Sequence, residues 1–204
     1  MLERFESDQL AKVTIPKDRN LQLIADIFGY KKTVHELNSG DSLNNETSNY
    51  ISVQNDTIIV EFPLHRLTKG NIVTMYNVFF YRDAAIMKST SIFQLDELVA
   101  MLKENPNYSI MIHGHTNGNY YGKYTVVAEG EDLFSRSPSN ETKMGSATTL
   151  SEERAAIIKR YLIEHGISED RMKVKGWGGK SMLYAKNDKD AIKNVRVEVE
   201  ILED

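Results

Sequence analysis

Cysteine is absent from the 204 residues, so the chain has neither a disulfide framework nor a thiolate zinc site. That absence fits a reducing and an oxidising compartment equally well. No apolar run reaches the roughly 18 residues that a membrane-crossing helix needs, and the opening stretch MLERFESDQLAK has no apolar signal core. An excess of one charge is missing too. The 25 basic and 29 acidic residues leave a formal net charge of −4, with no basic stripe to hold nucleic acid or anionic lipid. No nucleophile–base pair, phosphate-cradling loop or acid–base dyad emerges, so neither catalysis nor a cofactor is read. What remains is 41% hydrophobic content, enough for one domain with a real core or for one plus a smaller module.

The most informative stretch is Tyr108 to Thr116, YSIMIHGHT. Ile110, Ile112 and Gly114 alternate with Met111, His113 and His115, the period of a strand with one buried face. It ends at Gly114-His115-Thr116-Asn117-Gly118, where a glycine on each side permits a sharp turn. Leu150 to Ala155, LSEERA, reads as a helix start: Ser151 suits the N-cap, Glu152 and Glu153 suit the positive dipole end, and Arg154 follows in the first turn. A strand end facing such a helix start makes a pocket of backbone N–H groups and one fixed guanidinium, suited to an anion.

Residues 1–38 read as short strands at Lys12 to Pro16, Asn20 to Tyr30 and Lys31 to Leu37. Asn38 to Asn49 reads as a polar loop or linker, in which Asn45-Glu46-Thr47 matches a glycosylation pattern but is better explained as solvated chain. A hairpin is expected from Tyr50 to Val53 and Thr57 to Leu67, then a strand from Ile72 to Phe80. Ser89 to Asn105 has helical spacing, with Ile92, Leu95, Leu98, Val99 and Leu102 on one face and Pro106 as the stop. A second helix spans Ser151 to His165, closed by Gly166. Strands at Met172 to Trp177 and Val195 to Leu202 flank a helical turn at Asp188 to Lys193. The pattern predicts an α+β domain of βαβαββ type, with two helices on one face of a mixed sheet, preceded by a small β-rich segment.

Five motifs in this order resemble the OmpA-like peptidoglycan-binding domain shared by OmpA, Pal and MotB. They are NVFFYRDAA (Asn77 to Ala85), GHTN (Gly114 to Asn117), LSEERA, GWGG (Gly176 to Gly179) and NVRVE (Asn194 to Glu198). The resemblance covers roughly residues 71–204. It departs from the family at Gly118 to Thr149, an insert that puts Arg154 37 positions after Asn117. The insert's tyrosines and Leu133-Phe134 make it too apolar for simple disorder. A hairpin or flap beside the pocket is expected, with a loop merely packed on the sheet edge as the alternative. Upstream, residues 1–38 resemble the end of a carboxypeptidase-regulatory-like β-sandwich, and residues 39–70 form the linker and hairpin.

The resemblance implies that Arg154 grips a carboxylate of diaminopimelate in the peptidoglycan stem peptide; pairing with an internal acid is the other reading. Asn117 stands where relatives carry an Asp that meets the ligand's ammonium, so that counter-charge is lost and Asp83, or Glu129, Glu131 or Asp132 in the insert, would supply it. Ala85, Thr116 and Leu150 complete the implied lining. His113 and His115 share one strand face, but two ligands are too few for zinc, so no metal is expected. Trp177 is assigned to the pocket rim and Arg196 to an internal ion pair.

The function implied is non-catalytic peptidoglycan binding that anchors an outer-membrane-associated assembly to the cell wall. The long insert is similar to that of a type IX secretion accessory protein, so envelope or secretion-complex proteins are the other expected partners. A scaffold with a weakened pocket is the rival reading. Export is implied as well, with a signal peptide and upstream domains expected outside this sequence, and no direct membrane insertion.

Overall fold

The computed structural model describes residues 12, 21–37, 50–54 and 57–204. The chain divides into two compact units, Met1–Arg66 and Leu67–Asp204. In the first, β1 (Leu21–Ala25) pairs antiparallel with β2 (Thr33–Leu37), and β3 (Ile51–Gln54) with β4 (Thr57–Val60). The strand expected to run to Tyr30 stops at Ala25, because the chain turns at Gly29, whose φ of 88° suits glycine. The hairpin strand expected to reach Leu67 stops at Val60, before Pro63, which has no N–H to give a ladder. The strand expected from Lys12 to Pro16 and the linker from Asn38 to Asn49 lie outside the described residues, apart from Lys12.

The second unit contains β5 (Ile72–Met75), β6 (Ala84–Ala85), α1 (Ile92–Glu104), β7 (Ser109–His115), β8 (Tyr121–Val126), β9 (Glu141–Ser146), α2 (Ala147–Glu164), β10 (Met172–Gly178) and β11 (Val197–Glu203). Its main sheet has the order β10-β7-β11-β5, with β10 parallel to β7 and β11 antiparallel to both neighbours. Strands and helices of this sheet follow the expected βαβαββ order. Ile110 and Ile112 of β7 share a face with Gly114, and Val197, Val199 and Ile201 of β11 lie in register with that face. All five apolar side chains are buried, together with Leu95, Leu98 and Leu102 of α1 and Leu150, Ile158 and Leu162 of α2. The helices are tied by the Tyr161 hydroxyl, which donates to Asp96 at 2.6 Å.

Two strand glycines set how close α2 comes. A Cβ on Gly114 would lie 1.9 Å from the Ser151 carbonyl oxygen, and one on Gly176 would lie 2.3 Å from that of Thr148. Helix backbone therefore rests directly on strand backbone. At the far end of α2, Gly166 has a φ of 87°; its N–H donates to Ile163 and that of Ile167 to Leu162, a Schellman closure.

Three expectations need correcting. The strand from Ile72 ends at Met75, and the chain then loops back, with the Asn77 N–H donating to Gln94 and the Phe79 N–H to Ser91 Oγ. Ile92 is 37% exposed rather than inward-facing. Finally, α2 starts at Ala147, and its N-cap is Ser146, whose hydroxyl accepts from the Thr149 N–H at 3.1 Å. Ser151 is buried, donating to the Thr148 carbonyl and accepting from the Gly178 N–H.

The insert folds as a hairpin. β8 and β9 run antiparallel, and β6 adds in parallel to β8, giving a second sheet in the order β6-β8-β9. Tyr124 and Val126 of the hairpin form a buried cluster with Ala85 and Leu150.

Candidate functional site

Arg154 lies roughly two turns into α2, so its charge does not sit at the helix's positive end. It is nonetheless buried, at 6% exposure. Nε donates to the Ala84 carbonyl at 2.9 Å, Nη2 reaches the Tyr81 carbonyl at 3.4 Å, and the guanidinium lies 5.0 Å from the centre of the Phe80 ring. These contacts fix the fork without neutralising it. Among the described residues no carboxylate comes within ion-pair distance of it, so the reading of Arg154 as partner of an internal acid finds no contact pair. Burial pulls its pKa down to about 10, opposed by the nearby Tyr120 and Asp83. A desolvated cation without a contact counter-ion favours an incoming carboxylate.

Asp83 stands beside it. Its φ of 47° lies in the left-handed region, which Asp tolerates better than most residues. The conformation lets its carbonyl accept from the Thr125 N–H, joining β6 to the hairpin, while its carboxylate stays 54% exposed next to the exposed Arg82. Burial pushes the Tyr120 phenol up; Arg154 opposes that, and the nearby Asp83 carboxylate adds to it. Tyr120 thus joins the site from the insert. The insert's aromatics are visible in the sequence, but no spacing rule singles this one out.

The other expected residues are placed differently. Ala85 and Leu150 are buried in the apolar cluster beneath the hairpin. The Thr116 N–H donates to the Gly178 carbonyl and its hydroxyl to Gly118, so it pins the turn after β7. Both ends of the Asn117 amide are engaged: Nδ2 donates to the Lys186 carbonyl at 3.1 Å, and Oδ1 accepts from Asn194 at 3.0 Å. A carboxylate at position 117 would set an oxygen against that carbonyl. Asn117→Asp is therefore expected to lower stability by about 1–3 kcal/mol and to leave ligand affinity no better, as a denaturant titration and a binding isotherm would show.

His113 and His115 lie on the sheet face turned away from α2, where they donate to Glu200 and Glu198 at 2.9 and 3.1 Å. Arg196 donates to Glu198 at 2.7 Å, the ion pair expected of it. Trp177 donates to His113, so it is placed on this face. The hydrogen bond from His115, followed by that from Arg196, draws the Glu198 carboxyl down to about 2 despite its burial. Because its folded pKa is depressed, the stability it contributes is full above the ordinary carboxyl range and is lost as pH falls from about 4.5 towards 2. Glu198→Gln should flatten that acid slope, worth about 2 kcal/mol, in unfolding measured between pH 5 and 2.

The OmpA family's model matches residues 79–196, more than half of the 204 residues. The chain belongs to the OmpA family. Its OmpA-like domain is a non-catalytic one. Solved structures with a similar fold include the periplasmic domain of Helicobacter pylori MotB, with 15% identity over 69% of this chain and 78% of that one, at a TM-score of 0.47. The cell wall anchor of the T6SS from Pseudomonas aeruginosa gives 14%, 65%, 80% and 0.46 for the same four quantities. The peptidoglycan-associated lipoprotein from Burkholderia pseudomallei gives 18%, 61%, 86% and 0.42. No curated protein matches the chain. Among the described residues, no helix is long and apolar enough to cross a membrane.

Proposed function

We propose that this OmpA-like domain binds peptidoglycan without cleaving it and anchors an envelope assembly to the cell wall from the periplasmic side. Arg154 carries the reading: a buried guanidinium, held by two neutral carbonyls, with no carboxylate in contact among the described residues. In this reading it takes a carboxylate of the stem peptide's diaminopimelate. Asp83, exposed and close by, meets the ammonium that relatives give to the residue at position 117. Tyr120 supports Asp83, and the hairpin of residues 121–146 forms one wall. Ala85 and Leu150 set the floor, while Thr116 and Asn117 hold the adjoining turn in place. The native protein in this reading is exported and associated with the outer membrane. The division into the end of a β-sandwich-like module (1–38), a linker with hairpin (39–70) and the wall-binding domain (71–204) belongs to the same proposal, as does a place in type IX secretion machinery.

Co-sedimentation with purified peptidoglycan tests it. Retention in the pellet, competed by a diaminopimelate-containing stem peptide, is expected. Protein left wholly in the supernatant would overturn the proposal. The rival, a protein-interaction scaffold, is favoured by one observation: Tyr121 and Met144, on strands of the hairpin, are 72% and 54% exposed. It predicts weak wall retention in the wild type and loss of partner capture when both are changed to Ser.

A further inference from the structure

The second sheet ends at β9, and nothing among the described residues closes that edge. Residues 141–144 are all exposed, and among the described residues their main chain bonds only to β8. Proteins usually blunt such an edge with lysines, a proline, a bulge or a very short strand. The main sheet does so: β5 has four residues, while β10 carries Lys173 and Lys175 and a bulge before Gly178. β9 has six residues in unbroken register with β8, no proline and a single lysine. That lysine, Lys143, leans onto α2, where Nζ meets Glu153 at 3.3 Å.

The direction of the free groups follows from the register. The Ala147 N–H donates to the Tyr120 carbonyl at 2.8 Å, one step beyond the Ser146–Tyr121 pair. Bonded and unbonded pairs alternate along an antiparallel ladder. Gly145, Lys143 and Glu141 therefore turn their main-chain groups to β8, and Thr142 and Met144 turn theirs outward. Side chains alternate in the same step, so Glu141 and Lys143 share one face and Thr142 and Met144 the other. Glu141 has no cation within ion-pair distance among the described residues. Lys143 gives Glu153 one of its three donors and keeps two. The run Glu141-Thr142-Lys143 is thus complementary to itself when paired antiparallel. Centred on Thr142, each Glu141 stands opposite a Lys143; centred on either charged residue, like charges meet.

We propose that β9 is a self-association surface, through which two copies of this chain join antiparallel about a two-fold axis at Thr142. The two three-stranded sheets then form one continuous sheet. Thr142 exchanges both main-chain bonds with its counterpart, and each Met144 N–H donates to the Asn140 carbonyl of the other copy. The reverse bond is not made, because the Asn140 N–H is held by the Ser137 carbonyl. Each Glu141–Lys143 pair falls at an unbonded position, where side chains stand closest. The association does not depend on the wall-binding reading.

Sedimentation of the whole chain over a concentration series tests this, and a reversible monomer–dimer equilibrium is expected. Glu141→Lys alone sets lysines against lysines across the seam, and Lys143→Glu alone sets glutamates against glutamates. Each should weaken association about tenfold or more. Mixed in equal amounts, the two variants should dimerise as the wild type does, because every pair across the seam is again opposite in charge. Both positions are exposed, so the thermal midpoints should stay close to that of the wild type. A chain that remains monomeric into the millimolar range would overturn the proposal. So would a dimer that the single changes leave intact, or a mixture that associates no better than its components.

Discussion

Arg154→Ala is expected to reduce peptidoglycan retention to background. Removing one member of a desolvated charge pair costs about 2–5 kcal/mol of affinity, and the ligand's carboxylate would be left facing apolar surface. The same change touches the fold, because the Ala84 and Tyr81 carbonyls lose their donors and the Phe80 ring loses its neighbour. A loss of about 1–3 kcal/mol in stability should accompany it. Loss of retention by this variant alone would therefore be ambiguous. Asp83→Asn resolves it. The carboxylate is half exposed, and Asn also tolerates left-handed backbone. Its thermal midpoint should match the wild type while retention falls, by an amount that shrinks as salt rises. If Asp83→Asn binds the wall as tightly as the wild type, the ammonium is not held there.

Gly114→Ala is expected to be the most damaging conservative change in the domain. Its methyl group would fall 1.9 Å from the Ser151 carbonyl oxygen, which belongs to helix backbone and cannot rotate aside. Either α2 lifts from β7 or the strand bows, and both disturb the seat of Leu150 and Ile158. Overpacking of a core usually costs about 1–3 kcal/mol, and a clash between two main chains belongs at or above the top of that range. The thermal midpoint should fall by roughly 10 °C. Gly122→Ala is the control: nothing lies within 4 Å of the added Cβ, and the midpoint should hardly move.

The sheet and both helices were legible in the sequence because their apolar residues keep one period for long enough. Ile110-Ile112-Gly114 and Val197-Val199-Ile201 repeat every second residue, and α1 repeats Leu95, Leu98, Val99 and Leu102. The start of α2 was misread for a physical reason. Ser146 and Ser151 are both good N-caps, and residues 147–149, Ala-Thr-Thr, show no apolar spacing that would extend the helix backwards. Only tertiary contact decides between the two serines: Ser151 is committed to the Gly178 N–H, leaving Ser146 to cap. Arg154 and Asp83, both named from motif order, lie near one another in the structure. The orientation of Asn117 was not legible, because its partners Lys186 and Asn194 come from a loop with no periodic signal. Tyr120 was hidden for the same reason.

The position of β11 has a consequence for timing. It follows every other described strand in the chain, yet it lies between β7 and β5 rather than at an edge. Among the described residues β5 has no other partner in its sheet, so residues 72–75 wait for residues 197–200, more than a hundred positions later, before they are paired. Closing so long a loop is entropically slow, and pairings of this kind dominate folding times. A chain emerging N-terminus first from a ribosome or a translocation pore can form the hairpin of residues 121–146 and the β7–α2–β10 unit early. Its central sheet stays unfinished until the final strand is delivered, and until then the sides of β5 and β7 that receive β11 are open to any other extended segment that arrives first.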